Sequence, residues 1–437
     1  MQLVTPNSED CLTLNVWAPT RLPEGTKVPV VAWIFGGGFE NGGTSMYDGG
    51  IIVTRSVELG KPIVYVSMNY RVSALGFLAS EEVKAAGVGN IGLQDQRQAL
   101  RWIQKYISVF NGDPSKVTIW GESAGAISVA LQMVANGGNT EGLFHAAFME
   151  SGSPIPVGDI THGQKFHDAF VVAAGCEGSS DTLQCLREAP FATLQQAMDA
   201  SPSIFSPSSL DLAWMPRVDG TFLPDDPQQL VLQGSVANIP FVSGDCDDEG
   251  TLFSLTTLNV TTEEQLRDYI TSTYLPAASS SDLDKLLTLY PADITQGSPY
   301  DTGILNALSP QFKRLASLQG DLVFQGARRF FLQQQSDKQN TWSFLSKRLK
   351  GLPGLGSVHA SDLLNIYGSG ELTDYLVNFV NNLNPNGPTV PYWPKYTTAS
   401  VQLLTFLDGL VPVAITTDTY RQEAMEFIIQ LALANPL

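Results

Sequence analysis

The segment Gly121-Glu122-Ser123-Ala124-Gly125 lies between a short apolar run, Val117–Trp120, and a helix-like run, Ala126–Val134. This pattern predicts a strand that turns sharply into a helix, with the serine at the turn. Glycines are needed on both sides because so tight a turn leaves no room for Cβ atoms near the serine. A serine held in this way exposes its hydroxyl oxygen beyond the end of a strand. The pattern therefore predicts a nucleophilic serine at position 123.

The rest of the chain alternates short apolar runs with helical patterns. Apolar runs of this kind are typical of strands buried on both faces of a mostly parallel sheet. We therefore predict an α/β fold in which a large central sheet carries helices on both faces. The predicted strands are Cys11–Val16, Val28–Phe35, Pro62–Met68, Val117–Trp120, Ala146–Met149, Ile239–Val242 and, as the last one, Trp342–Ser346. Helical patterns cover Asp95–Phe110 and Glu423–Ala434, and Gly112-Asp113-Pro114 is expected to interrupt the chain before its next strand.

Length and charge restrict the function further. The 437 residues include 25 basic and 43 acidic side chains, which gives a formal charge of −18. So acidic a chain is unlike proteins that bind nucleic acid or anionic membranes, which need clustered Lys and Arg. No apolar stretch reaches the length of a membrane span. We predict a single domain over residues 1–437, with helical excursions at about 200–330 over the active site.

A serine nucleophile needs a histidine base and a carboxylate that orients it. Of the four histidines, His359 is the candidate, because it lies in a glycine-rich loop after the strand Trp342–Ser346. The other three follow Ser123 too closely to leave room for an acid-bearing strand between. The acid is expected in the loop 243–251, which contains Asp245, Asp247, Asp248 and Glu249. The spacing does not choose among these four carboxylates.

The negative oxygen that forms when a serine attacks a carbonyl needs backbone N–H donors. One donor is expected from Ala124, directly after the nucleophile, and others from the loop Gly36-Gly37-Gly38-Phe39 after the most apolar strand. Four apolar residues near these positions are candidates for an acyl pocket, with ordinary core packing as the alternative: Phe39, Ile127, Leu252 and Phe253.

Two further patterns are weaker. Gly87-Val88-Gly89-Asn90-Ile91-Gly92 matches a dinucleotide-binding motif, but it follows a helical pattern where a strand is required, so we interpret it as a loop that leads into a helix. Cys176 and Cys185 enclose a short polar loop, and their spacing alone does not decide between a disulfide and two free thiols. Cys11 and Cys246 have no obvious partner. No cluster of His and Cys suggests a metal, and no cofactor is predicted.

Taken together, the motifs resemble those of the type-B carboxylesterase/lipase family, the cholinesterase-like branch of the α/β-hydrolases. Within that family the chain is most similar to fungal lipases of the Candida rugosa and Geotrichum type, and the resemblance covers nearly the whole chain. The stretches that carry it are Glu9-Asp10-Cys11-Leu12 with Asn15-Val16, Gly36–Phe39, Asn69-Tyr70-Arg71, Asn90-Ile91-Gly92-Leu93 with Asp95-Gln96, Gly112-Asp113-Pro114, Gly121–Gly125, Ser151-Gly152-Ser153, Asp248-Glu249-Gly250-Thr251 and Ile294–Pro299 through Pro310-Gln311-Phe312.

The resemblance implies an α/β-hydrolase fold and a serine ester hydrolase without cofactor or metal. It implies Ser123 as nucleophile, Glu249 as acid and His359 as base. It also implies that Gly37, Gly38 and Ala124 donate to the oxyanion, and that Cys176 pairs with Cys185. The implied substrates are water-insoluble acyl esters, triacylglycerols or sterol esters, met at a lipid–water interface. The alternatives are a general esterase for soluble short-chain esters and a non-catalytic scaffold protein of the same fold.

The resemblance also implies features that would precede residue 1. In the family, the counterpart of Cys11 pairs with an upstream cysteine, and the loop between them carries a lid. Edge strands and a signal peptide also come before it, whereas the first residues here show no secretory signal. We therefore expect a sheet shortened at its N-terminal edge and an extracellular protein. The sequon Asn259-Val260-Thr261 is a candidate glycosylation site.

Overall fold

The computed structural model describes residues 7–436, and nine strands in this range form one sheet. Their order is β1-β3-β2-β4-β5-β6-β7-β8-β9, and only the outer pairs, β1 with β3 and β8 with β9, are antiparallel. The strands are β1 Leu14–Trp17, β2 Val28–Ile34, β3 Val64–Met68, β4 Gly112–Glu122, β5 Ala146–Glu150, β6 Phe241–Cys246, β7 Thr341–Lys347, β8 Gln402–Leu407 and β9 Val413–Thr417.

Helices cover the sheet. For example, α5 packs against β4 and β5, and α1 and α16 pack against β3 and β2. The helices are α1 Gly49–Glu58, α2 Ala74–Phe77, α3 Glu81–Ala86, α4 Ile91–Tyr106, α5 Ala124–Gly138, α6 Gln164–Ala173, α7 Thr182–Glu188, α8 Phe191–Asp199, α9 Pro227–Leu232, α10 Thr251–Ser254, α11 Glu263–Thr273, α12 Ser280–Leu289, α13 Phe312–Gly320, α14 Gly326–Gln335, α15 Leu363–Ile366, α16 Glu371–Asn382 and α17 Gln422–Ala434. A π-helical segment, Asp321–Gln325, joins α13 to α14.

Several of the central strands are buried along their whole length, which explains their mostly apolar sequences. Every residue of β2, β3 and β5 is buried, so side chains on both faces of the sheet are removed from water. Burial of this kind favours apolar residues at every position, without the alternation of a half-exposed strand. The predicted α/β fold with a mostly parallel sheet is confirmed.

Two details of the predicted strands are wrong. Trp342–Ser346 lies in β7, which is not the last strand, because β8 and β9 extend the sheet beyond it. The outermost strand, β9, has three exposed residues and so lacks the apolar run that marked the central strands. Gly112-Asp113-Pro114 does not precede β4 but lies within it. There the pairing with β2 shifts register, which accommodates the extra residues as a bulge.

Cys176 and Cys185 form a disulfide with a Cα–Cα distance of 5.8 Å, whereas Cys11 and Cys246 are free thiols.

Gly87 ends α3 in a left-handed conformation, and α4 begins at Ile91, four residues earlier than predicted. The dinucleotide-like motif is thus a connection between two helices. The single domain over 1–437 and the placing of the excursions at 200–330 stay predictions.

Candidate active site

Ser123 lies at the turn between β4 and α5. Its backbone has φ 56° and ψ −129°, a conformation that non-glycine residues rarely adopt. A Cβ atom at Gly121 would lie 2.4 Å from the carbonyl carbon of Gly125, and one at Gly125 would lie 2.0 Å from the carbonyl oxygen of Ile34. Glycine is therefore required at both positions, as the sequence pattern predicted.

The structure brings Ser123, His359 and Glu249 into one hydrogen-bonded chain. His359 Nε2 lies 2.8 Å from Ser123 Oγ, and His359 Nδ1 lies 2.5 Å from Glu249 Oε2. The three residues follow β4, β7 and β6, whose carboxyl ends meet at one edge of the parallel sheet. All three side chains are buried, so their mutual interactions are little weakened by water.

The other three carboxylates of the acid loop have different partners. Asp245 accepts from Arg328 in a fully buried ion pair, and Asp247 pairs with Lys350. Asp248 accepts from the backbone N–H groups of Tyr300 and Ser357, and so ties this loop to the one that carries His359. Within residues 7–436, Glu249 is the carboxylate of this loop that hydrogen-bonds to His359.

Two groups that the sequence analysis missed hold Glu249 in place. The hydroxyl of Ser151 donates to Glu249 Oε1 at 2.7 Å, and the backbone N–H of Cys246 donates to the same oxygen at 2.6 Å. Ser151 directly follows β5, the strand between β4 and β6. Because parallel neighbours end at the same edge of a sheet, a polar residue after β5 could have been assigned to the site from the sequence.

The predicted oxyanion donors are backbone amides at the turn beside the serine and in the glycine-rich loop after β2. Gly37 and Gly38 have φ of +111° and +63° in the loop after β2, and Ala124 is the first residue of α5. Within the described part of the chain, the N–H groups of these three residues donate to no protein acceptor. A Cβ atom at Gly36 would lie 2.8 Å from that of Ser123, so this loop runs directly beside the serine.

The surroundings of His359 are aromatic and acidic. Phe253 and Phe324 pack with ring centroids 5.1 Å and 4.7 Å from the imidazole. Glu122 Oε1 lies 3.4 Å from His359 Nε2. Burial favours the neutral imidazole, but the charge and hydrogen bond of Glu249, together with Glu122, outweigh it and raise the pKa of His359 to about 9. Burial raises the pKa of Glu122 itself to about 8.

The four residues proposed for an acyl pocket lie at different distances from this centre. Phe253 is beside His359, and Leu252 is its half-buried neighbour in α10. Ile127 is buried in the first turn of α5, where its N–H bonds to the carbonyl oxygen of Ser123. Phe39 packs against Phe77 with ring centroids 5.0 Å apart. Phe324, which also contacts His359, was missed because it lies in the π-helical segment far along the chain.

Comparison with known proteins identifies the family of this chain. Residues 1–428 match the sequence profile of the Carboxylesterase family. The chain belongs to the carboxylesterase family. It is accordingly a carboxylic ester hydrolase, and the predicted family, fold and enzyme class are confirmed.

Several relatives within the carboxylesterase family are similar over most of the chain. Lipase 4 of Diutina rugosa is 47% identical over 411 residues, which cover 91% of this chain and 74% of that protein. A secreted triacylglycerol lipase of Gibberella zeae is 40% identical, with 96% of this chain and 74% of that protein covered. The crystal structure of Aspergillus niger EstA superposes with a TM-score of 0.84 at 29% identity, and covers 98% of this chain and 85% of that one.

Two absences concern the described residues only. In 7–436, no group of three or more His, Cys, Asp or Glu side chains has the arrangement of a metal site. In the same range, no helix combines the length and apolar character needed to cross a bilayer. The absence of a cofactor stays a prediction.

The raised pKa of His359 predicts the pH dependence of hydrolysis. A general base acts in its neutral form, so kcat/KM is expected to rise with pH as His359 loses its proton. We expect the rising limb to have its midpoint above the usual histidine value of about 6.5. Initial rates on a soluble ester between pH 5 and 10 measure this midpoint. A limb centred at or below that usual value would contradict the prediction.

Proposed function

We propose that the protein hydrolyses water-insoluble acyl esters, triacylglycerols or sterol esters, through an acyl-enzyme intermediate on Ser123. The hydrogen-bonded chain from Ser123 through His359 to Glu249 carries this proposal. It places a base within reach of the hydroxyl proton and a carboxylate on the opposite ring nitrogen. This is the arrangement that serine acyl transfer requires.

In the first half-reaction, Ser123 Oγ attacks the ester carbonyl carbon while His359 Nε2 takes the hydroxyl proton. The negative charge on the carbonyl oxygen is stabilised by the N–H groups of Gly37, Gly38 and Ala124, each of which contributes a factor of roughly 10²–10³ in rate. His359 then returns the proton to the departing alcohol. In the second half-reaction, water attacks the acyl-enzyme by the same route and releases the carboxylic acid. Glu249 keeps Nδ1 protonated and stabilises the imidazolium.

An exposed apolar patch supports a water-insoluble substrate. The patch surrounds a groove of about 530 Å³ and is lined by Leu255, Ile304, Leu305, Leu308 and Leu355. Ile304 and Leu305 are 70% and 68% exposed, which is unusual for adjacent apolar residues.

The patch is connected to the two loops that carry the acid and the base. The hydroxyl of Thr251, two residues after Glu249, donates to the carbonyl oxygen of Leu355, four residues before His359. Segments 303–308 and 351–358 contain no charged residue, in a chain whose formal charge is −18. An uncharged apolar surface can lie against the interface between a neutral ester and water. A surface covered with the acidic side chains that are frequent in this chain would fit such an interface poorly.

The substrate class is tested with esters of rising acyl length and with emulsified triacylglycerol. We expect hydrolysis of long-chain p-nitrophenyl esters and a rate that increases when substrate forms an emulsion. The double variant Ile304→Ser/Leu305→Ser is expected to lose about tenfold in rate on emulsion, since partial burial of two such side chains is worth at least ~1.5 kcal/mol. Its rate on soluble acetate ester should stay within about twofold of the parent.

Val109→Ser is the control, because Val109 is 79% exposed and lies just before the start of β4, whose opposite end leads to Ser123. This variant should hydrolyse the emulsion at the parent rate. An optimum at short acyl chains with no response to emulsion would instead identify a general esterase for soluble esters.

The likeness to lipases named as secreted, from Gibberella zeae and Botryotinia fuckeliana, supports an extracellular location. The candidate glycosylation site, Asn259, is exposed to solvent, as is its neighbour Leu258. Glycosylation there stays a prediction, and a mass shift removed by an endoglycosidase would test it.

A further inference from the structure

Glu40 links the oxyanion loop to a distant segment of the chain. It follows Phe39, and its backbone N–H closes a turn by donating to the carbonyl oxygen of Gly37 at 3.1 Å. In its side chain, Oε2 accepts the backbone N–H of Ile204 at 2.9 Å. Glu40 Oε1 is buried without a hydrogen-bond partner among the described residues. The carboxylate thus makes a single contact, with a backbone group 164 residues away.

Segment 204–209, which contains neither helix nor strand, spans the two sides of the site. At one end, the side chain of Ile204 lies over Gly38, with Cδ1 only 3.0 Å from where a Cβ would be. At the other end, Ser209 Oγ donates to the carbonyl oxygen of Phe253, whose ring packs on His359. The backbone bond from Ser209 N–H to the carbonyl oxygen of Ser206 keeps the segment compact. Phe205, between these ends, is 61% exposed.

We propose that Glu40 is a positioning residue that holds segment 204–209 across the active site, so that Ile204 forms the wall of the substrate cleft over the oxyanion loop. Among the described residues, the bond from Ile204 N–H to Glu40 is the hydrogen bond that ties this end of the segment to the oxyanion loop. Without this bond, the acyl chain of a long ester loses a fixed apolar surface next to its carbonyl group. This inference rests on the proposed function, because it concerns the same cleft.

The contact with Ile204 keeps the Glu40 carboxylate away from water, and this desolvation costs free energy when the carboxylate is charged. Desolvation raises the pKa of Glu40 to about 7, in spite of the N–H of Ile204, which lowers it. No Lys, Arg, His, Asp or Glu within 7–436 forms an ion pair or hydrogen bond with Glu40. A carboxyl group whose pKa is raised by folding stabilises the folded state at low pH. That stabilisation is lost as pH rises from its ordinary pKa to about 7.

The test compares Glu40→Ala, which removes the acceptor, with Glu40→Gln, which keeps an uncharged one, in the full chain. On p-nitrophenyl laurate at pH 8, Glu40→Ala is expected to raise KM about tenfold with kcat changed by less than about threefold, and Glu40→Gln to keep KM within about threefold of the parent. On the acetate ester, whose acyl group offers far less apolar surface to Ile204, Glu40→Ala should raise KM by a smaller factor than on laurate. The exposed Glu24→Ala is the control and should change nothing.

Stability measurements separate positioning from a structural role. At pH 8, Glu40→Gln is expected to unfold at a higher temperature than the parent, because it removes a buried charge.

Ile204→Ala gives a second readout and should raise KM for laurate in the same way. The proposal is overturned if Glu40→Ala and Ile204→Ala leave KM for laurate unchanged, or if Glu40→Gln is as impaired as Glu40→Ala. Failure of the parent enzyme to hydrolyse any ester would instead overturn the proposed function.

Discussion

Replacing Ser123 with alanine is expected to lower kcat/KM for a soluble ester by about 10⁴–10⁶-fold. The change removes only one oxygen, so substrate binding and the oxyanion donors are retained, and the remaining rate reflects them alone. The strained backbone at position 123, with φ 56°, is maintained by the close approach of Gly121 and Gly125 and does not need the hydroxyl. Rates measured with p-nitrophenyl butyrate, together with the unfolding temperature, check this expectation.

A covalent probe gives an independent measurement of the same residue. A phosphonate ester that traps serine nucleophiles should label one site in the parent enzyme and none in Ser123→Ala. Ser108→Ala is the control, because Ser108 is exposed and lies directly after α4. This variant should react like the parent. Undiminished turnover by Ser123→Ala would show that another residue attacks the ester.

Replacing Glu249 with glutamine is expected to lower kcat/KM by about 10⁴-fold. The amide keeps the shape of the side chain but removes the charge that stabilises the imidazolium, and it no longer holds His359 in the required tautomer. The same charge raises the pKa of His359. The rising limb of the pH profile should therefore move to lower pH in Glu249→Gln, as the residual rates on a soluble ester will show.

Asp247→Asn is the matched control for the acid. Asp247 lies in the same loop two residues earlier, but it pairs with Lys347 and Lys350, whereas the ion pairs of His359 in the described chain are with Glu122 and Glu249. We expect a loss of less than about tenfold and an unshifted pH profile. An effect of Asp247→Asn as large as that of Glu249→Gln would mean that the acid has been assigned to the wrong carboxylate.

Elements that depend on near neighbours in the chain were predicted well. The strands β2, β3 and β5 and the second half of β4 were found because both their faces are covered, so most of their positions are apolar. The turn at Ser123 was found because its two glycines are required by backbone atoms within a few residues and on the adjacent strand. The outer strand β9 was missed, because half-exposed residues leave no apolar run to recognise.

Contacts between distant segments were beyond such patterns. Ser151 reaches Glu249 across 98 residues, and Glu40 reaches Ile204 across 164. Phe324 approaches His359 from a π-helical segment that no short-range pattern indicates. The residues next to them in the sequence do not mark them, because each side chain acquires its role only through a partner that folding brings close.

The sequence by itself determined the mostly parallel sheet and the serine at the strand-to-helix turn, and with so few histidines to choose from it predicted which one acts as the base. Only the tertiary structure distinguished Glu249 from three neighbouring carboxylates by residue contacts, because all four lie in one loop and differ only in which partner each one meets. Local steric requirements leave a mark in adjacent residues. The pairing of charges and hydrogen bonds across the sheet edge leaves none, since it depends on how the loops after β4, β6 and β7 converge.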